Sequence, residues 1–176
     1  MNFTIKQETS SDYRAVETMI KSAFEHAEYT DYDEHNLVAR LRKSGAFIPE
    51  LSLHAVLEND IVGHILFTKI MIHNGKEKYT SLALAPVAVL PSYQGKGIGS
   101  KLILEGIKRA KSLGFESVIV LGHEEYYPRF GFVPASKYKI SAPFEVPNEA
   151  FMALELKSGA LHHVTGTVEY PKEFLT

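Results

Sequence analysis

The chain has 176 residues, 45% of them hydrophobic, and a formal net charge of −2. That length buries one core, and the near-neutral balance does not suggest a nucleic-acid partner, so none is expected. The absence of cysteine excludes disulfides, thiolate metal sites and a cysteine nucleophile.

No apolar stretch reaches transmembrane length, and the start of the chain lacks the charged head and long apolar run of a signal peptide. A single cytoplasmic domain over residues 1–176 is expected, with no membrane partner. In chain order, Phe3-Thr-Ile5-Lys alternates and predicts a first strand. Thr9 to Asp12 supply capping side chains for a helix whose apolar positions are Tyr13, Val16, Ile20 and Phe24. Asp31 to Glu34 open a second helix with Leu37, Val38 and Leu41 as its stripe. Arg40, Arg42 and Lys43 complement its dipole, and Gly45 stops it. Strands are predicted at 51–57 and 61–68, joined by a tight turn at Glu58-Asn59-Asp60. A further strand runs to about Ile72 and ends at the turn His73-Asn74-Gly75-Lys76.

A strand over about 80–90 comes next, then a helix from Gly97 to Gly114, then the apolar run Ser117–Leu121. This strand–helix–strand order makes the strands at 80–90 and 117–121 parallel, while the earlier turns imply antiparallel neighbours. Beyond Phe132 the chain is punctuated by Pro134, Pro143 and Pro147, with late strands at about 151–157 and 164–169. The fold class is therefore α/β: a mixed, mostly antiparallel sheet of six to seven strands with helices on both faces.

The segment with the most chemistry runs from Val87 to Ser100. Glycines at 95, 97 and 99 stand at the start of a helix and let a ligand approach the backbone. The free N–H groups of the first turn and the positive end of the dipole favour phosphate. A P-loop needs four residues between its first glycine and Gly-Lys-Ser/Thr, which is absent here. A dinucleotide fingerprint needs G-x-G-x-x-G, and the spacing here is G-x-G-x-G. The segment reads as a cradle for another diphosphate.

Gln94-x-x-Gly97-x-Gly99, placed after a strand ending near Val89, resembles the acetyl-CoA loop of the GNAT superfamily of N-acetyltransferases. Tyr127-Pro-Arg-Phe-Gly131-Phe132 matches that family's Tyr-x-x-x-Gly-Phe. The resemblance covers about residues 3–157 and leaves 158–176 as a C-terminal extension. It implies a three-layer GNAT-like fold and transfer of acetyl from acetyl-CoA to a primary amine of a small molecule or peptide. Direct attack in a ternary complex suits a chain without cysteine. The alternative is a catalytically silent acyl-CoA-binding sensor, and a homodimer is compatible with either.

By the resemblance, the cofactor-binding residues are Val87, Ala88 and Val89, at the point where the family's strands splay, together with Gln94, Gly95, Lys96, Gly97, Ile98, Gly99 and Ser100. Lys96 and Lys101 could meet outer phosphates or stand as solvated surface lysines, and Lys101 reads rather as the latter. Pro86 marks an irregularity at the splay. Tyr127 is the candidate general acid for the leaving thiolate. Many family members carry a glutamate base on the strand that here reads Leu82-Ala-Leu-Ala85-Pro-Val-Ala-Val89, which has none. His123, after the 117–121 strand, is the candidate base, with a water chain as its rival. Segments 25–50 and 134–150, with Tyr29, Tyr32, Phe144 and Glu145, are expected to shape the acceptor pocket. The histidines form no metal pattern, so no metal is expected.

Overall fold

The computed structural model describes residues 2–28 and 30–175. Tyr29, named above among the acceptor-shaping aromatics, lies outside the described residues. The strands are β1 (Thr4–Gln7), β2 (Phe47–Leu57), β3 (Asp60–His73), β4 (Lys78–Val89), β5 (Ser117–Leu121), β6 (Val133–Pro134), β7 (Ile140–Ser141), β8 (Phe151–Glu155) and β9 (Gly166–Glu169). The helices are α1 (Tyr13–Phe24), α2 (Glu34–Arg42) and α3 (Ile98–Ser112).

The strands form one nine-stranded sheet in the order β1-β2-β3-β4-β5-β8-β6, with β9 pairing with β3 and β7. Among the described strands, the pairs β4–β5 and β7–β9 are parallel and the rest antiparallel. The mixed, mostly antiparallel sheet is as expected. The count of six to seven is corrected to nine, because β6 and β7 are two-residue pairings inside the proline-punctuated stretch. Pairings that short leave no alternation to read. The strands expected at 61–68 and to Ile72 are one strand of 14 residues. It turns into β2 through Glu58 and Asn59, whose φ values are 50° and 72°.

Alternation along the strands builds two layers of core. Leu82, Leu84, Val118 and Val120 pack with Leu102, Ile103, Ile107 and Ala110 of α3 on one face. Leu66 and Ala88 lie on the other face beneath Val16, Ile20, Val38 and Leu41 of α1 and α2. Ala83, Ile119, Phe151, Ala153 and Val168 continue that second face beyond the helices. The helix α3 lies close on the sheet because residue 106 is glycine. A β-carbon there would stand 2.2 Å from a ring carbon of Phe67.

At the edge, Thr9 and Asp12 form the expected cap, the Thr9 N–H donating to Asp12 Oδ2 at 2.8 Å. Arg42 stands in the last turn of α2 as expected, and it is also buried, its guanidinium donating to both carboxylate oxygens of Glu8.

Candidate active site

The site begins with a break in pairing. The strand β4 pairs with β5 only at Leu82↔Val118 and Ala83↔Ile119. Beyond Ala83, β4 stays paired with β3 as far as Val89, while β5 stays paired with β8 as far as Leu121. A gap therefore opens between them, with one backbone edge of Val87, Ala88 and Val89 facing it. On the β3 side, Leu84 pairs with Phe67 and Val87 with Ile65. The strand β4 thus carries one extra residue at Ala85 and Pro86, a bulge beside the start of the gap. Proline has no N–H to give to a ladder, and it sits where the pairing is already broken.

A short 3₁₀ turn, Pro91–Tyr93, leads from the strand to the glycine loop. The Gln94 side-chain amide donates to the Val89 carbonyl at 3.0 Å and so ties the loop to the strand end. Gly95 and Gly97 have φ of +76° and +84°, left-handed values that side chains disfavour. Open space surrounds both positions. Gly99 differs: it is an ordinary helical residue, where a β-carbon would meet the Tyr126 hydroxyl at 3.6 Å. The first bond of the helix runs from Lys101 N–H to the Gly97 carbonyl at 3.1 Å. The N–H groups of Ile98, Gly99 and Ser100 therefore stand at the helix start without a carbonyl before them. This is a ready anion site at the mouth of the gap. The Lys96 ammonium lies 5.8 Å from the Tyr93 ring centre, and that of Lys101 lies 5.5 Å from the Phe3 ring centre.

Opposite the loop, Gly122 to Gly131 carry the aromatic cluster. Tyr127 packs edge-on against Phe132 and Tyr126. Its ring occupies the space of a side chain at 122, where a β-carbon would come within 2.3 Å. Burial, with Tyr126 adding to it, pushes the Tyr127 phenol up to about 12, so it holds its proton at neutral pH. Tyr126, the neighbouring ring, reaches the loop. Its hydroxyl lies 3.0 Å from Ser100 Oγ, with the Arg129 guanidinium over its ring. Adjacency in sequence hides this, since only the turn decides which ring points to the helix.

His123 is exposed at the end of β5, and its carbonyl accepts the N–H groups of Tyr126 and Tyr127 at 3.1 and 3.3 Å. The structure thus brings Val87–Val89, the 94–100 loop and the Tyr126–Tyr127 turn around one gap. No carboxylate lies on the β4 segment bordering it. His64 pairs with Ala88 from the β3 side of β4, away from the gap, and His54 stands opposite His64 on β2. Among the described residues, no group of histidine, aspartate and glutamate is arranged to hold a metal ion. No helix among them is long and apolar enough to cross a membrane.

Residues 7–132 match the model of the Acetyltransferase (GNAT) family. The chain is 42% identical over 141 residues to YjhQ of Escherichia coli (strain K12), an uncharacterized N-acetyltransferase, covering 80% of this chain and 74% of that protein. Its fold matches the GNAT family N-acetyltransferase YhbS from Escherichia coli in complex with CoA, with a TM-score of 0.89 at 28% identity, over 100% of this chain and 93% of that one. A GNAT family acetyltransferase from Brucella melitensis in complex with acetyl-CoA matches with a TM-score of 0.80 at 30% identity, over 98% of both chains.

Proposed function

The chain belongs to the Acetyltransferase (GNAT) family, and on that premise we propose that it moves the acetyl group of acetyl-CoA to a primary amine by direct attack in a ternary complex. The observation that carries this reading is the conjunction of an open β4 edge beyond Ala83 with a glycine-loop helix start that follows it directly. The two together suit a ligand with a diphosphate at one end and an amide-bearing arm at the other. The complexes of the two structural relatives with CoA and acetyl-CoA support the same ligand.

The residues divide the work. Backbone N–H groups from Gly95 to Ser100 receive the diphosphate, with Lys96 beside it and Gln94 holding the loop in place. Val87, Ala88 and Val89 pair with the amides of the arm as an added strand would. A β4 N–H polarises the thioester carbonyl. The amine nitrogen then bonds to the acetyl carbon and the carbon–sulfur bond breaks. Tyr127 gives its proton to the departing thiolate, and the nitrogen loses one to His123 or to water. A chain without cysteine suits a reducing compartment, and we place the enzyme in the cytoplasm.

Gly97→Val tests the cradle. It forces a side chain into a left-handed position that faces open space. Calorimetry should show CoA affinity falling at least about tenfold in a variant that remains folded; unchanged affinity would overturn the reading. A wild type that binds acetyl-CoA but never releases thiol with any amine would be an acyl-CoA sensor instead.

A further inference from the structure

We propose that Arg129 receives the 3′-phosphate of the CoA ribose and so makes the site prefer CoA to dephospho-CoA. The inference rests on the acetyl-CoA reading above and adds the residue that decides which carrier is accepted. CoA carries a diphosphate and, one ribose away, a phosphate monoester that is nearly a dianion at neutral pH. The glycine loop and the first turn of α3 account for the diphosphate. They leave the monoester without a protein partner.

Arg129 is held as a partner for such a group. Its Nε–H donates to the Tyr126 carbonyl at 3.0 Å, and its guanidinium carbon lies 4.6 Å from the centre of the Tyr126 ring. That ring is fixed in turn, with Tyr127 and Phe130 packed edge-on against it at 5.1 and 5.3 Å. Only Nε is used in this clamp. Among the described residues, the terminal nitrogens Nη1 and Nη2 have no acceptor, and neither Glu124 nor Glu125, close in sequence, pairs with them. The side chain is exposed. A guanidinium with its stem held and its fork open binds phosphate through two parallel hydrogen bonds with little further ordering.

The position suits the monoester rather than the diphosphate. The Tyr126 hydroxyl lies 3.0 Å from Ser100 Oγ in the first turn of α3, while the guanidinium lies over the ring of the same tyrosine. Arg129 thus stands one tyrosine ring beyond the diphosphate cradle, as the monoester stands one ribose beyond the diphosphate. The two lysines near the loop point elsewhere. The Lys101 ammonium lies by Phe3, at the β1 edge of the sheet and away from the β4–β5 gap. That of Lys96 lies by Tyr93, in the turn before the loop.

Calorimetry on the full chain with CoA and dephospho-CoA tests this. The wild type is expected to bind CoA at least about tenfold more tightly than dephospho-CoA, and added salt should shrink that ratio. Arg129→Gln should bring the ratio close to one while leaving the dephospho-CoA affinity unchanged, which also shows that the variant is folded with its loop intact. Arg129→Lys should keep part of the preference, since it retains the charge but not the fork. A wild type that binds both carriers equally would overturn the inference and leave the acetyl-CoA reading standing. So would a preference that survives Arg129→Gln. An Arg129→Gln variant that loses affinity for both carriers in the same proportion would mean that the arginine serves the diphosphate or braces the turn, which overturns the inference too. A wild type that binds neither carrier would bring down the acetyl-CoA reading and this inference with it.

Discussion

Tyr126 and Tyr127 are neighbours in the chain, but their hydroxyls keep different company. The Tyr126 hydroxyl is hydrogen-bonded with Ser100 at the start of α3. The Tyr127 ring is wedged over Gly122 and against Phe132, in surroundings that raise its phenol to about 12. The two substitutions to phenylalanine should therefore differ in kind. Tyr127→Phe keeps the ring and removes only the proton, so kcat should fall by ~10²–10⁴-fold while CoA affinity holds. Tyr126→Phe removes one hydrogen bond at the loop, worth about 1 kcal/mol. It should raise KM for acetyl-CoA a few-fold and leave kcat near wild type. Steady-state kinetics on both variants, with single-turnover measurement of the chemical step, separate the roles. An unchanged chemical step in Tyr127→Phe would remove that residue from the mechanism. A pH profile of kcat/KM addresses His123: if it is the base, His123→Gln should abolish the rising limb. The motif spacing made Tyr127 legible in the sequence. Tyr126 was not legible, because the geometry of a single turn decides which of two adjacent rings meets Ser100.

Among the elements, α3 matters most, since its first turn is the proposed anion site and its packing fixes where that turn stands. Gly106 lies in the middle of the helix, facing the fully buried ring of Phe67. Alanine there gains up to about 1 kcal/mol in helix propensity. It also drives a methyl into a ring that has no room to retreat, and overpacking of that kind costs about 1–3 kcal/mol. The clash wins. Gly106→Ala should lower Tm by a few degrees and weaken CoA binding as well, because the helix start shifts with the helix. A variant with unchanged Tm and CoA affinity would show that α3 yields without moving the loop. A glycine on the apolar stripe of a predicted helix was the available sign of this close approach. The strand–loop–helix–strand order was readable because its apolar runs are long and glycines bound the helix. β6 and β7 were not readable, since two-residue strands owe their pairing to partners remote in sequence.

At the scale of the whole molecule, one buried ionic cluster ties the edge of the sheet to both N-terminal helices. Arg42 of α2 grips Glu8 just beyond β1, with side chains 4% and 1% exposed. It also pairs with Glu17 of α1 and lies over the Tyr13 ring. Ser52 of β2 donates to Glu8, and His64 of β3 sits 3.1 Å from the Ser52 hydroxyl. Burial alone would raise the Glu8 carboxyl, but the nearby His64 ring, 3.7 Å away, and the hydrogen bonds from Arg42 and Ser52 outweigh it and hold the group at about 2. His64 goes the opposite way from an ion-pair partner. Burial holds it below its ordinary value despite Glu8, with Arg42 adding to the effect. Arg42 is therefore the counter-charge, and His64 serves as a neutral donor. Burial likewise lowers His54, against the pull of Asp12. All three shifts act in one direction on stability. A histidine lowered on folding binds fewer protons folded than unfolded, so its contribution is complete above about 6.5 and drains away as pH falls below that value. The Glu8 contribution, on the order of 3 kcal/mol, is present above the ordinary carboxylate value and is lost as pH falls from there towards 2. Thermal melts should show Tm level from pH 8 to 7 and falling from pH 6.5 to 5.5, where the histidines alone are titrating. The fall should be shallower in His54→Gln, which removes one of them without touching Arg42 or Glu8. It should steepen again below pH 4.5, where the Glu8 carboxyl takes a proton in the open chain but keeps its charge in the fold down to about 2. A wild-type Tm that stays flat between pH 7.5 and 5.5 would mean that these histidines are as free to charge in the fold as in the open chain.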